Sequence, residues 1–263
     1  MEISGNTILV TGGSSGIGLE LARQLLALEN VVIVTGRDSG KLESARRQLP
    51  KLHTVQSDAA DVEAIVRLHA TVTRDFPALN VLINNAGIMR KINIHAPAPD
   101  LYDITREIET NLVAPIRMVK QFLPHLKQQR AASIVNVSSG LAFVPFAISP
   151  VYSATKAAVH SFTQSLRVQL KNTRIQVFEL APPGTDTPLF RGDFTGADVK
   201  GVTPMDVATL ARHAIEGLRK DVYEIRPGLA NALKLMSRVA PQFILKQLSK
   251  SADDMLAETK SEA

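Results

Sequence analysis

A tyrosine and a lysine stand four residues apart in the stretch PVYSATKAAVH, residues 150–160. The stretch predicts the start of a helix, and this spacing places Tyr152 and Lys156 on one face of it. A free tyrosine has a pKa of about 10, too high for ready proton exchange near neutral pH. A neighbouring ammonium group favours the phenolate, so we expect Lys156 to lower the Tyr152 pKa. The pair is either an acid/base centre or an ordinary exposed pair, and its surroundings must decide.

The composition limits the classes of function. The chain has 263 residues, of which 45% are hydrophobic and 21% charged, as in an ordinary globular protein. It has no cysteine, which excludes disulfides and thiolate chemistry. The six histidines show neither H-x-H nor H-E-x-x-H spacing, so we predict no metal site.

The N-terminus, MEISGNTILV, lacks the features of a signal peptide, and no apolar run approaches the roughly 18–20 residues of a membrane span. We therefore expect a cytoplasmic protein. The net charge of +5 alone would suit nucleic acid, an acidic membrane surface or an anionic small ligand. The basic residues are spread along the chain and aromatics make up 5%, so we expect no nucleic-acid partner.

Strand-like and helical patterns alternate along the chain. Strands are predicted at 6–12, 31–35, 53–58, 81–87, 133–139, 174–182 and 222–228. Helices are predicted at 17–28, 39–49, 61–76, 100–129 (interrupted by two prolines), 151–171 and 229–250. Unbroken Val/Ile/Leu strands suit a parallel sheet covered on both faces. The alternation predicts one domain, residues 1–263, with a doubly wound Rossmann-type α/β fold of about seven strands. The irregular stretch 183–203 follows a strand, where such folds carry ligand-binding loops.

A glycine-rich stretch, TGGSSGIG at 11–18, joins the first strand to the first helix. Glycines permit a tight turn and close approach of the backbone, while a helix N-terminus offers free N–H groups to a pyrophosphate. A plain strand–helix turn is the alternative, and the position directly after the first strand favours cofactor binding. The residues expected to bind are Gly12, Ser14, Ser15, Gly16, Ile17 and Gly18.

The end of the second strand selects between the two nicotinamide dinucleotides. A carboxylate there binds a ribose 2′-hydroxyl, whereas an arginine accommodates a 2′-phosphate. The sequence VTGRDSGK has Gly36 where the carboxylate would stand, followed by Arg37. Guanidinium–phosphate pairing is bidentate and charge-assisted, which favours NADP(H) and leaves NAD(H) open. The alternative is a solvated arginine paired with Asp38.

Together these motifs resemble the short-chain dehydrogenase/reductase family. TGGSSGIG, NNAG at 84–87, Asn111, IVNVSS at 134–139 and Tyr152-x-x-x-Lys156 occur in the order and spacing of that family over roughly residues 4–225. The closer likeness is to the DltE-like bacterial short-chain oxidoreductases. It rests on SSGLAFVPFAISPVYSATKAA at 138–158, NNAGIMR at 84–90 and the double proline at 182–183.

The resemblance implies roles for four polar residues. Ser139, thirteen residues before Tyr152, would hydrogen-bond the substrate oxygen, while Ser138 would be a strand-end or capping serine. Tyr152 would be the acid/base, and Lys156 beside it would also bind the nicotinamide ribose. Asn111 would hold a water that relays protons to the lysine.

The resemblance also implies further cofactor contacts. Asp58 matches the family's acidic residue at the adenine amine, and Ala59 supplies a backbone contact beside it. Asn85, Ala86 and Gly87 match the turn beside the adenine-side ribose. The loop APPGTDTP departs from the family's usual Pro-Gly. Counting from Pro182 places Thr187 where the family has a threonine for the carboxamide, whereas counting from Pro183 makes it one residue early. We prefer the first register.

The substrate side of the site is predicted to be mostly apolar. The segment GLAFVPFAISPV between Ser139 and Tyr152 could line a hydrophobic pocket together with Ile88, Met89, Leu189, Phe190 and Phe194, or half of these could simply pack in the core. A partly apolar ketone, aldehyde or secondary alcohol would fit. Arg90 and Lys91 nearby would instead favour a carboxylate.

The segment 229–250 is predicted to be an amphipathic helical tail that folds onto the body or a neighbouring subunit, with a membrane surface as the alternative. Residues 251–263 are polar and are expected to be frayed. The resemblance implies a homodimer or homotetramer, formed through the helix that carries Tyr152 and the long helix before it. The predicted function is an NADP(H)-dependent oxidoreductase acting on a small carbonyl or alcohol. The alternative is a non-catalytic NADP(H)-binding redox sensor, which should have lost one of the four polar residues.

Overall fold

Seven parallel strands form one sheet in the computed structural model, which describes residues 1–96, 101–196, 198–199 and 203–261. The strands are β1 (Thr7–Val10), β2 (Val31–Gly36), β3 (His53–Gln56), β4 (Leu79–Asn84), β5 (Ala132–Val137), β6 (Ile175–Leu180) and β7 (Glu224–Ile225). Their order across the sheet is β3-β2-β1-β4-β5-β6-β7. This confirms the predicted Rossmann-type fold. Residues 197 and 200–202 of the predicted substrate loop lie outside the described residues.

Helices connect and cover the strands. They are α1 (Gly16–Ala27), α2 (Ser39–Gln48), α3 (Val62–Asp75), α4 (Leu101–Ile108), α5 (Ala114–Leu126), α6 (Pro150–Gln169), α7 (Val207–Arg219), α8 (Leu229–Val239), α9 (Pro241–Leu248) and α10 (Lys250–Ser261). A π-helical turn, Glu109–Val113, joins α4 to α5, and a 3-10 turn, Gly140–Ala142, follows β5. None of the helices in the described ranges is long and apolar enough to cross a membrane.

The core lies on both faces of the sheet, as the apolar strands predict. In β1, Ile8 and Val10 belong to one buried cluster, with Leu21 and Leu25 of α1. Leu9 points to the opposite cluster, which includes Phe122 of α5 among other residues.

The sheet reverses its strand order between β1 and β4, which are direct neighbours. The loops that follow these two strands therefore meet. Thr11 joins them, since its amide donates to the Ile83 carbonyl at 3.0 Å and its hydroxyl accepts from the Asn85 amide at 3.0 Å. Ligands of open α/β sheets bind in the crevice at such a reversal.

Four sequence predictions of secondary structure are wrong in detail. The strand at 222–228 shrinks to Glu224–Ile225, because the chain turns at Pro227 and Gly228, whose φ is +55°. The predicted helix 229–250 breaks at Ala240, before Pro241. Of residues 251–263, which are expected to fray, 251–261 belong to α10, and 262–263 lie outside the described residues. Of the predicted helix 100–129, residue 100 lies outside the described residues, and the helical stretch 101–126 is not broken by its prolines. It widens into a π turn instead, with Pro124 inside α5.

Candidate active site

A cavity of about 470 Å³ lies along the carboxyl ends of the strands. All the sequence-predicted site residues except Gly18 and Asn111 line it: Gly12, Ser14, Ser15, Gly16, Ile17, Arg37, Asp58, Ala59, Asn85, Ala86, Gly87, Ser139, Tyr152, Lys156, Pro182 and Thr187. The motifs that are scattered along the sequence therefore meet in one place.

The glycine-rich turn requires its glycines for space. Gly12 has a φ of +65°, and a Cβ there would lie 2.8 Å from the Ala86 Cα. A Cβ on Gly18 would lie 2.6 Å from both the Asn85 Nδ2 and the Gly12 carbonyl oxygen, so Gly18 packs α1 against the loops after β1 and β4 without lining the cavity. Ser15, the N-cap of α1, makes no side-chain capping bond. The first amides of α1 thus carry no side-chain cap, and the positive end of the helix faces the cavity.

Two cations line the cavity near the end of β2: Arg37 directly follows the strand, and Lys41 lies in the first turn of α2. Asp38 is not their partner, because its side chain caps α2 by accepting from the Lys41 amide at 3.0 Å. Within the described residues, Arg37 forms no ion pair. A Cβ on Gly36 would lie 3.0 Å from the Ser14 hydroxyl oxygen, which leaves little room for an acidic side chain there.

Tyr152 and Lys156 are both buried, with exposed fractions of 6% and 4%. The Lys156 Nζ lies 5.6 Å from the centre of the Tyr152 ring and donates to the Val137 carbonyl at 2.9 Å. Burial raises the pKa of Tyr152 to about 12, with Glu107 adding to the effect and a hydrogen bond from Ser139 opposing it. Burial also lowers the pKa of Lys156 to about 8. The net shift is therefore opposite to the expected lowering: Lys156 is not among its causes, and the loss of water is the largest of them.

Of the two serines after β5, Ser139 and not Ser138 makes the capping bond. Ser139 caps the 3-10 turn, its hydroxyl accepting from the Leu141 amide at 3.1 Å, and it also reaches Tyr152. Ser138, predicted to be the strand-end or capping serine, donates to the buried Glu179 carboxylate at 2.5 Å. Both serines line the cavity, and the Ser138 hydroxyl is tied to Glu179 of β6.

Asn111 lies in the π turn, just behind the cavity wall. Its amide group holds Ile88 at both ends, accepting from the Ile88 amide and donating to the Ile88 carbonyl, each at 2.8 Å. It also donates to the Thr155 hydroxyl at 3.2 Å. A Cβ on Gly87 would lie 3.3 Å from the Asn111 Oδ1 and 3.6 Å from the Lys156 Nζ. Asn111 and Lys156 therefore flank the same glycine.

Apolar side chains form the other half of the cavity wall. Of the predicted set, Ile88, Met89, Leu189 and Phe190 line it, while Phe194 packs near Phe146, itself a lining residue. Leu141 and Phe146, from the predicted segment 140–151, also line it, whereas sequence reasoning missed the apolar lining residues Val199, Leu229, Leu233 and Leu248. The last three come from α8 and α9, and nothing local in the sequence brings those helices to the site.

Arg90 and Lys91 do not line the cavity. The Arg90 Nη1 lies 2.7 Å from the Asp103 Oδ2, and the Lys91 Nζ lies 2.8 Å from the buried Asp198 carboxylate. Both cations already have carboxylate partners, so the interpretation that they select an anionic substrate loses its support.

Polar lining residues were missed as well: Thr35, Ser57, Thr110 and Thr185. Each of these residues lies within two positions of a predicted site residue or of a strand end. This closeness in the sequence is the signal by which they could have been predicted.

A second cluster joins His160, Glu179 and Glu224, whose ligand atoms lie within 4.8 Å of one another. The His160 Nδ1 bonds Glu179 at 2.7 Å, and Lys234 and Arg226 pair with Glu224. The two cations already balance the carboxylates, so the cluster is a closed charge network that joins α6, β6, β7 and α8.

The sequence of this chain is similar to those of known proteins. Residues 6–197 match the family model described as short chain dehydrogenase. The chain is 41% identical to "Uncharacterized oxidoreductase DltE" of Bacillus subtilis (strain 168), over 95% of this chain and 98% of that protein. The chain belongs to the short chain dehydrogenase family.

Solved structures of similar fold include relatives of this short chain dehydrogenase. A short chain dehydrogenase from Burkholderia cenocepacia J2315, solved in complex with NADP, matches with a TM-score of 0.80 at 25% identity, over 94% of this chain and 99% of that one. The 3-ketoacyl-(acyl-carrier-protein) reductase from Brucella melitensis, complexed with NADH, matches with a TM-score of 0.75 at 25% identity, over 82% and 91%. The resemblance predicted from the motifs is confirmed at the level of the family.

Proposed function

We propose that this oxidoreductase uses NADP(H) to interconvert a carbonyl compound and its alcohol, with Tyr152 as the acid/base. The observation that carries the proposal is that a glycine-rich turn, a helix N-terminus and the Ser139, Tyr152 and Lys156 side chains share one cavity. Bound nicotinamide would supply or accept the hydride, and the protein's own side chains must handle the oxygen and its proton.

The residues at the cofactor end fit a dinucleotide. The uncapped start of α1 and the close backbone at Gly12 provide an anion cradle. Arg37 and Lys41 fit a 2′-phosphate, since Arg37 has no carboxylate partner in the described structure and Asp38 is occupied as a helix cap. NADP(H) is therefore our preferred cofactor. The similar structures bear on the class only, because one was solved with NADP and another with NADH.

The proton chemistry follows from burial. With a pKa of about 12, Tyr152 keeps its proton at neutral pH and is ready to donate it to a carbonyl oxygen. Ser139, hydrogen-bonded to Tyr152, would hold the same oxygen. Lys156 lies behind Tyr152 and would bind the ribose, while Asn111 fixes the segment that follows Gly87. The protonated phenol is the form that donates a proton to a carbonyl, so Tyr152 is ready for the reduction step at neutral pH.

The substrate that fits best is uncharged and partly apolar. Its half of the cavity is lined by aliphatic and aromatic side chains, and the two nearby cations are neutralised by Asp103 and Asp198. Self-association through α5 and α6 stays a prediction, consistent with exposed Ile116 and Val168 on those helices.

The test is a substrate panel assayed by NADPH and NADH oxidation. Medium-chain methyl ketones and aromatic aldehydes should be reduced with NADPH, and α-keto acids of matched size should be reduced much more slowly. NADPH binding without turnover of any compound would support the redox-sensor alternative. A clear preference for the keto acids would refute the apolar assignment.

A further inference from the structure

Three polar residues spaced four apart on one helical face hold the segment that follows β4. Asp103 bonds the Arg90 guanidinium, Glu107 accepts from the Arg90 amide at 3.0 Å, and Asn111 holds Ile88. Residues at i, i+4 and i+8 share one side of a helix, so the three side chains form a row along the segment. The outer two have roles described above, but the middle one has none.

Glu107 is unusual for its burial. Its exposed fraction is 0%, and within the described residues it forms no ion pair. Its Oε1 has a single protein donor, the Arg90 amide, and its Oε2 has no hydrogen-bond partner. A buried carboxylate normally needs full hydrogen bonding or a counter-charge, whereas a protonated carboxyl group tolerates such a site at much lower cost.

Arg90 and Arg106 both favour a negative charge on Glu107, but within the described residues neither forms an ion pair with it. Arg90 is already paired with Asp103, and Arg106, on the same helix, also lies beside Asp103. Asp193, from the 183–203 loop, disfavours a negative charge on Glu107, and Tyr152 faces it from α6. Burial is the largest influence and raises the pKa of Glu107.

The segment held by Glu107 belongs to the site. Ile88 and Met89 line the cavity. On the other side, the Ser149 hydroxyl donates to the Arg90 carbonyl at 2.9 Å, and Ser149 is the N-cap residue of α6, which carries Tyr152. Arg90 is therefore bonded to α4 through its amide and to the start of α6 through its carbonyl.

We propose that Glu107 is a positioning residue that works as an uncharged carboxyl group, tying the Arg90 amide to α4 and so fixing the Ile88–Arg90 wall relative to Tyr152. The catalytic part of this proposal rests on the proposed function, whereas the structural part does not. Glutamine at this position keeps the acceptor oxygen and lacks the charge. Leucine keeps the approximate volume and lacks the acceptor.

The first test is hydrogen exchange, which needs no substrate. In Glu107→Leu the Arg90 amide should exchange at least about tenfold faster than in the wild type, and in Glu107→Gln its protection should be restored. The matched control is Glu109→Gln, two residues further along the chain. The Glu109 side chain is exposed, so this variant should leave the exchange rate of the Arg90 amide unchanged. Equal protection in all variants would overturn the anchoring role.

The second test is the charge itself. Carboxyl carbon-13 shifts of the labelled wild-type protein, assigned by loss of one signal in Glu107→Gln, should show that Glu107 titrates above the ordinary glutamate range. A signal that titrates near the ordinary glutamate value would overturn the uncharged role, even if Glu107→Leu failed to fold.

The third test uses turnover. If NADPH-dependent reduction is found, Glu107→Leu should lower kcat at least about tenfold with a smaller effect on KM, and Glu107→Gln should recover most of it. A loss in Glu107→Gln as large as in Glu107→Leu would overturn the positioning role. If the wild type turns over no compound, the proposed function fails, and the exchange and titration experiments still decide the role of Glu107.

Discussion

Replacing Lys156 with methionine should change how stability depends on pH, by an amount that follows from its burial. Methionine keeps most of the length of the side chain and removes its charge. Burial lowers the pKa of Lys156 from an ordinary 10.5 to about 8. At about 1.4 kcal/mol for each pKa unit, the buried cation costs the folded state roughly 3 kcal/mol at neutral pH.

The sign follows from proton binding. Between pH 8 and 10.5 the unfolded chain holds a proton on this lysine that the folded protein has lost, so the wild type gains stability as pH rises through that range. Lys156→Met has no such group. The stability of the wild type minus that of the variant should therefore rise by roughly 2 kcal/mol between about pH 7.5 and 10. Tyr152, with a pKa of about 12, is present in both proteins, and its contribution cancels.

Urea denaturation at closely spaced pH values measures this difference directly. The variant also loses the bond from Lys156 to the Val137 carbonyl, which shifts its stability by a similar amount at every pH and leaves the slope unchanged. Lys171→Met, an exposed lysine beyond the end of α6, is the control and should show no slope. If the difference in unfolding free energy between the wild type and Lys156→Met did not change with pH, the fold would already compensate the charge of the ammonium group. That result would refute the burial argument.

The remaining predictions concern the cofactor and the chemistry. Arg37→Ala should weaken NADPH binding about 10- to 100-fold and NADH binding little, because one charge-assisted phosphate contact is lost; equal losses in a fluorescence titration would contradict the NADP(H) assignment. Tyr152→Phe should abolish turnover with little change in the NADPH dissociation constant, and substantial residual kcat would exclude Tyr152 as the acid. Gly18→Ala should destabilise the fold by about 1–3 kcal/mol, since its Cβ would lie 2.6 Å from Asn85 and Gly12; an unchanged melting temperature would contradict that packing.

The parts of the fold that the sequence predicted are those in which local pattern and tertiary environment agree. The apolar runs of β1, β2, β4 and β5 could hardly be anything but strands of a covered parallel sheet. The strand β7 is shorter than the sequence predicts, because only two of its residues pair with β6 before the chain turns at Pro227. The π turn at Asn111 could not be predicted, since the inserted residue depends on what the helix must contact.

In the site, the sequence predicts which side chains come together, but it does not predict their pKa shifts or their ion pairs. The Tyr152–Lys156 spacing was sufficient to place the pair, but the direction of its pKa shifts depends on burial by segments far away in the chain. Likewise, the sequence alone suggests that Arg90 and Lys91 are free to bind an anionic substrate. In the structure they pair with Asp103 and Asp198, which lie 13 and 107 residues away in the chain. Long-range contacts therefore decided both the acid/base balance and the charge preference of the cavity.

The division of the cavity explains why the reaction class is easier to infer than the substrate. The family model matches residues 6–197, which carry the glycine-rich turn, Ser139 and Tyr152. The wall formed by α8 and α9 lies beyond that range, yet it adjoins the Ser139 end of the cavity, since a Cβ on Gly140, next to Ser139, would lie 3.2 Å from Leu233. Lys234, the next residue of α8, is tied to Glu224 of β7. Substitutions on α8 should therefore alter substrate choice through the same turn that positions Ser139, while the cofactor end of the cavity stays unchanged.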